Sequence, residues 1–106
     1  MSFSEDQSHS ISLADAKKMT QDYRTAAGSG AFLGGFISKN AVTGILGQAG
    51  CTGLRIYNAL NEDGNPTFVL VGVKSNGEDI TGGELAEYVI GCPPLCPNAS
   101  ELAGTA

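Results

Sequence analysis

Residues 53–74, GLRIYNALNEDGNPTFVLVGVK, decide the fold of this 106-residue chain. In the first part, 53–60, one set of side chains alternates with another: Leu54, Ile56, Asn58 and Leu60 with Arg55, Tyr57 and Ala59. The last part, 67–74, is a dense β-branched run. Between them lie turn-forming residues with Asp63-Gly64 at the centre. The stretch therefore predicts a β-hairpin. Because both faces of 67–74 are apolar, we expect this strand to be covered on both sides.

Two helices are predicted before the hairpin. Ser12 is a helix cap with Asp15 three residues later, which predicts a helix over 12–26. A second helix is predicted from Ser38, with Gly50 as its C-terminal cap. Gly44 and Gly47 weaken this helix, so it needs tertiary packing for its stability.

The segment 26–36, AAGSGAFLGGF, is predicted to be a flexible connection between the two helices. Its glycines have neither the Lys and Ser/Thr of a phosphate-binding P-loop nor a full dinucleotide-binding pattern. An alternative is a lid over a small-ligand pocket. That lid would be formed by Gly28, Gly30, Gly34 and Gly35.

After the hairpin, ELAEYVIG at 84–91 fits a strand or a short helix. We favour the strand because a two-stranded hairpin is marginal alone. The predicted fold is α+β, with two N-terminal helices packed on a small antiparallel sheet built around the hairpin. The predicted core joins helix residues to strand residues: Leu13, Ala16, Tyr23, Val42, Ile45 and Leu46 to Ile56, Leu60, Phe68, Leu70, Val71 and Val73. Residues 1–10 are predicted as a disordered arm, 11–97 as a single domain and 98–106 as a flexible tail.

Composition limits the partners. Six basic against eleven acidic residues give a formal charge of −5, which argues against nucleic acid, whose binding requires phosphate neutralisation. No apolar run is long enough for a membrane span. The N-terminus lacks the pattern of a secretory signal, so we expect a cytoplasmic protein without membrane contact.

Enzyme chemistry has little support. The single histidine, His9, lies in the predicted arm, whereas a catalytic triad needs a firmly held imidazole. The paired carboxylates, such as Glu78 and Asp79, fall in or beside predicted turns and are interpreted as solvated. We predict no cofactor and no catalytic residue.

The stretch GCPPLCPN, 91–98, carries the most distinctive chemistry. Cys92 and Cys96, with Cys51 as a third ligand, form an incomplete zinc set. A disulfide or redox pair is a second interpretation, although two prolines favour an extended polyproline conformation that separates the sulfurs. Bridging then needs a turn, either with a cis Pro94 or with Pro94-Leu95 at its corner. In a third interpretation Cys92 is a small core residue and the prolines end the strand.

The order of these features resembles a family of small, uncharacterised bacterial proteins. The matching pieces are the Ile11-Ser12-Leu13 helix start with Tyr23-Arg24, then Gly50-Cys51, Arg55-Ile56-Tyr57, Glu62-Asp63-Gly64 and Val71-Gly72-Val73, and finally the CPPxCP ending at 92–97. The resemblance implies no activity and transfers no catalytic residue.

Three functions follow from the sequence. The first is a non-catalytic interaction or structural module that acts as a homo-oligomer with an unknown protein partner. The two-faced strand at 67–74 favours this function, because a homodimer would cover it. The second is a thiol or metal protein that uses Cys92 and Cys96. The third is a small-ligand binder with the glycine segment as its lid.

Overall fold

The structure, a computed structural model, describes residues 3–87 and 89–105. Within these ranges the chain forms helices and antiparallel strands, as expected for an α+β protein. The helices are α1 (Leu13–Ala27) and α2 (Lys39–Leu46). The strands are β1 (Gly34–Phe36), β2 (Cys51–Leu60), β3 (Pro66–Lys74), β4 (Leu85–Ala86) and β5 (Ile90–Cys92).

The chain divides into two compact units. Unit 1 comprises the N-terminal residues up to Gln7 together with 36–89, and it holds α2 and the sheet β2-β3-β4. Unit 2 comprises 8–35 and the C-terminal residues from Ile90, and it holds α1 and the strand β5, which pairs with β1.

Both helices begin where the sequence predicts. Ser12 Oγ accepts the Asp15 N–H at 3.0 Å, and Ser38 Oγ accepts the Ala41 N–H at 3.3 Å. These caps satisfy donors that the first helical turn leaves free. The predicted end of α2 at Gly50 is wrong, because the helix ends at Leu46 and is capped by Gly47.

The predicted hairpin is confirmed. Strands β2 and β3 pair antiparallel, with Ile56 opposite Leu70 and Leu60 opposite Pro66. In the turn, Asn61 Oδ1 accepts the Asp63 and Asn65 N–H groups at 3.0 and 2.9 Å. Gly64 has φ +78°, which glycine adopts without steric cost.

Two other predictions need correction. The segment 84–91 is neither one strand nor a helix. Its described residues form β4, which pairs with β3, and the start of β5, which belongs to the other sheet. Tyr88 lies outside the described residues. The glycine segment is not only a connection, because Gly34 and Gly35 belong to β1. The cause is a long-range pairing, in which β1 meets β5 near the other end of the chain.

The core of unit 1 is formed by α2 and by both faces of β3, with Leu70 on the face that α2 covers and Val71 and Val73 on the opposite face. Ile45, Leu70, Val71 and Val73 are buried, as predicted. The expected burial of Ile56 and Leu60 is wrong, because their side chains are 58% and 71% exposed. With eight residues, α2 is roughly 12 Å long, whereas the ten residues of β2 span roughly 33 Å. One short helix therefore cannot cover the whole of β2.

Of the α1 side chains expected in the core, Leu13 and Tyr23 are exposed and Ala16 is half-buried. Leu13 is 62% and Tyr23 is 53% exposed, and no residue of α1 is buried. The apolar side chains of α1 are therefore only partly covered by the described residues.

Candidate functional site

Cys92 and Cys96 are joined by a disulfide in unit 2, with their Cα atoms 4.7 Å apart. The Leu95 N–H donates to the Gly91 carbonyl at 3.0 Å, and the peptide bonds before Pro93 and Pro94 are both cis. The segment therefore forms the turn that a bridge needs, and not the extended polyproline conformation expected from two successive prolines. As a disulfide, neither sulfur is a thiolate that can bind metal.

Cys51 belongs to unit 1, whereas Cys92 and Cys96 belong to unit 2. It begins β2 in unit 1, is half-buried, and its thiol donates to the Gly53 carbonyl at 3.3 Å. Within 3–87 and 89–105, no three His, Cys, Asp or Glu side chains form a group that fits a metal ion. Involvement of Cys51 with Cys92 and Cys96 stays a prediction.

The structure does bring the glycine segment and the disulfide together. A cleft of about 430 Å³ in unit 2 is lined by both. Its lining includes Arg24, Gly28, Ser29, Gly30, Ala31, Leu33, Pro93, Cys96, Ala103 and Thr105. Gly34 and Gly35 do not line it; they lie in β1. Of the four glycines predicted as a ligand loop, only Gly28 and Gly30 therefore face this cleft.

The C-terminal segment completes one wall of the cleft. Arg24 Nη1 donates to the Leu102 carbonyl at 2.6 Å, and Lys17 Nζ lies 3.8 Å from the Glu101 carboxylate. Within the segment, the Thr105 N–H donates to the Ser100 carbonyl at 3.0 Å. Residues predicted as a flexible tail thus contact α1.

A second polar cluster lies on the sheet of unit 1. Asp79 accepts hydrogen bonds from Arg55 Nη1 and from the Tyr57 hydroxyl. The Arg55 guanidinium carbon also lies 5.7 Å from the centre of the Phe3 ring, within the range of a cation–π contact. The sequence interpretation of Asp79 as a solvated turn residue missed this cluster. The available signal was that Arg55 and Tyr57, two residues apart on a strand, share one face.

The hydrogen bonds of the cluster shift the pKa values of Asp79 and Tyr57. The hydrogen bond from Tyr57, followed by that from Arg55, lowers the pKa of the Asp79 carboxyl, although partial burial opposes the shift. The hydrogen bond to Asp79 also raises the pKa of the Tyr57 hydroxyl. Both shifts favour the forms already present at neutral pH. General acid–base catalysis needs a pKa moved towards neutrality, so this cluster is better suited to hold β2 and the 76–79 turn together.

The outer edge of β2 is a free strand edge among the described residues of unit 1. The order β2-β3-β4 places β2 at an edge, and no described residue pairs with its outer side. The Ile80 N–H donates to the Gly72 carbonyl at 2.8 Å, so Gly72 directs its carbonyl away from β2. In an antiparallel ladder, its partner Leu54 then directs its own polar groups outwards, and Ile56, Asn58 and Leu60 follow by alternation.

The comparisons give no relative for this chain: no family model, no curated protein and no solved structure matches it. The resemblance to bacterial proteins with a CPPxCP ending therefore stays a prediction. In the described part of the chain, no helix has the length and apolar character to cross a membrane.

Proposed function

We propose that this protein is a non-catalytic interaction module that acts as a cytoplasmic homo-oligomer. The observation that carries the proposal is the exposure of large apolar side chains next to a small core. On β2, Ile56 and Leu60 are more exposed than covered, and on α1 the same holds for Leu13, Met19 and Tyr23. Exposed apolar side chains that share one face of an element, as Ile56 and Leu60 do on β2, are the kind of surface that marks interaction sites on small domains.

The polar groups support the same proposal. In the Arg55–Tyr57–Asp79 cluster, each charged or phenolic group has a partner, and the pKa shifts stabilise the resting charges. The hydrogen bonds hold these three side chains in one arrangement on the sheet, and side chains that are already held lose little conformational freedom on association.

The test is the molecular mass in solution. We expect native mass spectrometry and light scattering to give a multiple of the chain mass at micromolar concentration. A Cys51→Ser variant is the control, because it removes the free thiol that could form an artificial covalent dimer. A single-chain mass up to roughly 100 µM, a concentration that allows only interactions weaker than about −5.5 kcal/mol, would refute the proposal.

The proposed location has its own test, because cytosolic thiols are kept reduced whereas Cys92 and Cys96 form a disulfide. Thiols are alkylated at the moment of cell lysis, and the intact mass is then measured. Alkylation of Cys92 and Cys96 supports a cytoplasmic location. A bridged pair in cells contradicts it and favours an oxidising compartment.

A second candidate function is the binding of a small ligand in the cleft of unit 2. Its volume lies in the range of small-molecule sites, and Gly28 and Gly30, predicted as a ligand loop, line it. Ligand-observed NMR with a library of small metabolites tests this function. The Ser29→Trp variant, which fills the cleft, is expected to abolish any binding, whereas unchanged binding places the ligand elsewhere.

A further inference from the structure

We infer that two copies of the chain associate through the outer edges of β2, so that the two three-stranded sheets form one continuous antiparallel sheet. The inference rests on the proposed homo-oligomeric function and names its interface. The occupant of the edge is a second copy of this chain, and the reasons are the length, the lack of protection and the self-complementary pattern of β2.

The edge is long and unprotected. Isolated edge strands in natural proteins are usually short or carry Lys, Pro or other devices that prevent pairing with another chain. Strand β2 has ten residues, CTGLRIYNAL, without Lys, Asp, Glu or Pro. Its one charge, Arg55, is neutralised by Asp79 on the sheet face. The one irregularity in its pairing with β3 lies at the start, between Cys51 and Gly53.

The free backbone groups form a regular row. Two hydrogen bonds fix which residues face outwards. The Asn61 N–H donates to the Asn65 carbonyl at 2.9 Å, and the Gly72 carbonyl accepts from outside the hairpin, from Ile80. Both place Leu54, Ile56, Asn58 and Leu60 at positions that do not bond to β3. Every second residue from 54 to 60 therefore offers one donor and one acceptor to a neighbouring strand.

When a two-fold axis beside Tyr57 relates the two copies, all four outward-facing residues of each β2 pair with the other copy. In this register Leu54 lies opposite Leu60 of the second copy, and Ile56 lies opposite Asn58 of the second copy. The ladder gains roughly eight hydrogen bonds, since each bonded pair exchanges two. Arg55 lies opposite Ala59 of the second copy, so no like charges face each other. The exposed side chains of Ile56 and Leu60 lie at the centre and end of this contact.

The first test removes one outward N–H. In Asn58→Pro, the missing donor is one that β3 does not use, so the hairpin keeps its own ladder. We expect the dimer dissociation constant to rise by about 100-fold or more, because the two-fold axis doubles the loss. Asn58→Ala is the matched control, since it changes the same side chain and keeps the N–H, and it should leave the dissociation constant within about threefold.

The second test does not require β2 to accept a proline. Opposite residues of a non-bonded antiparallel pair have Cα atoms about 4.5 Å apart, within disulfide range. Tyr57→Cys in a Cys51→Ser background is therefore expected to form a covalent dimer under mild oxidation. Leu85→Cys in the same background, on the exposed β4 residue, is the control and should stay largely uncrosslinked.

The outcomes separate the inference from the proposed function. A wild-type protein that is monomeric overturns both. A wild-type oligomer that survives Asn58→Pro and is not crosslinked through Tyr57→Cys overturns the β2 interface alone. Loss of assembly in Asn58→Pro, retention in Asn58→Ala and selective crosslinking through Tyr57→Cys establish the interface.

Discussion

Replacing Gly72 by alanine is expected to destabilise unit 1, because a side chain at this position meets three neighbours. Gly72 is a buried residue of β3 beneath α2. A Cβ atom there would lie 2.9 Å from Cys51 Sγ, 3.0 Å from Gln48 Nε2 and 3.3 Å from Ile45 Cγ2. The first two distances are well inside ordinary van der Waals contact. Gln48 has little freedom to move, because its side chain bonds to the Ile45 carbonyl and the Glu84 N–H.

Two opposing effects determine how much Gly72→Ala changes the free energy of unfolding. Overpacking a closed core costs about 1–3 kcal/mol. Replacing glycine by alanine restricts the unfolded chain and returns about 0.4–1 kcal/mol. The net loss in the free energy of unfolding is therefore about 1 kcal/mol. For a unit of this size, the corresponding fall in Tm is about 4–8 °C.

The assay is urea unfolding followed by far-UV circular dichroism. Gly53→Ala is the matched control, since a Cβ at Gly53 has no neighbour within 4 Å, and it should be neutral or slightly stabilising. Cys51→Ala removes the nearest obstacle, so the double variant Gly72→Ala/Cys51→Ala should lose less stability than the sum of the single changes. A Gly72→Ala protein as stable as Gly53→Ala, or strict additivity with Cys51→Ala, would refute the packing of α2 on β3 described above.

Three further changes test separate parts of the molecule. Ile45→Ala should cost about 2–5 kcal/mol and Ile45→Val about 0.5–1.5 kcal/mol, because Ile45 is 1% exposed; urea midpoints that do not follow this order would contradict its place in the core. Replacing Cys92 and Cys96 together by serine opens a bridge with a sequence separation of 4 and should cost about 2 kcal/mol by loop entropy; reduced wild type is the control, and an unchanged Tm argues against a stabilising bridge. Since the folded pKa of Asp79 is lowered, its contribution to stability is present above about pH 4 and is lost as the pH falls through the folded pKa. Asp79→Asn should therefore be less stable at pH 7 and show a weaker acid dependence of Tm than wild type; identical pH profiles would contradict the role of the cluster.

The local elements were largely predictable from the sequence. The hairpin follows from a β-branched run, an alternating run and a turn centred on Asp63-Gly64, all within one continuous stretch. The starts of α1 and α2 follow from Ser12 and Ser38, whose caps are also local. Such features depend on neighbours within a few residues, so a single sequence is sufficient to find them.

The features that were missed depend on distant partners. Strand β1 is glycine-rich and has no strand pattern of its own, and it exists because it pairs with β5. The cis bond before Pro94 entered the sequence analysis only as a condition for a bridge, because nothing in the sequence distinguishes a cis from a trans bond at that position. The Asp79 cluster forms because the turn at Asn76-Gly77 returns the chain beside Val73, which places the carboxylate over Arg55 and Tyr57.

The reason to expect assembly changes between the sequence and the structure. The sequence suggests a homodimer because both faces of 67–74 are apolar, yet Leu70, Val71 and Val73 are already buried within one copy. A second copy is therefore not needed to complete the core. What one copy leaves open is the outer edge of β2, a row of backbone groups that no described residue pairs with, beside the exposed Ile56 and Leu60. Hydrogen bonds along this edge would extend a sheet whose interior is closed, so a dissociated copy can remain folded. Assembly of this kind is reversible and depends on concentration, which suits an interaction module better than an obligate dimer with a shared core.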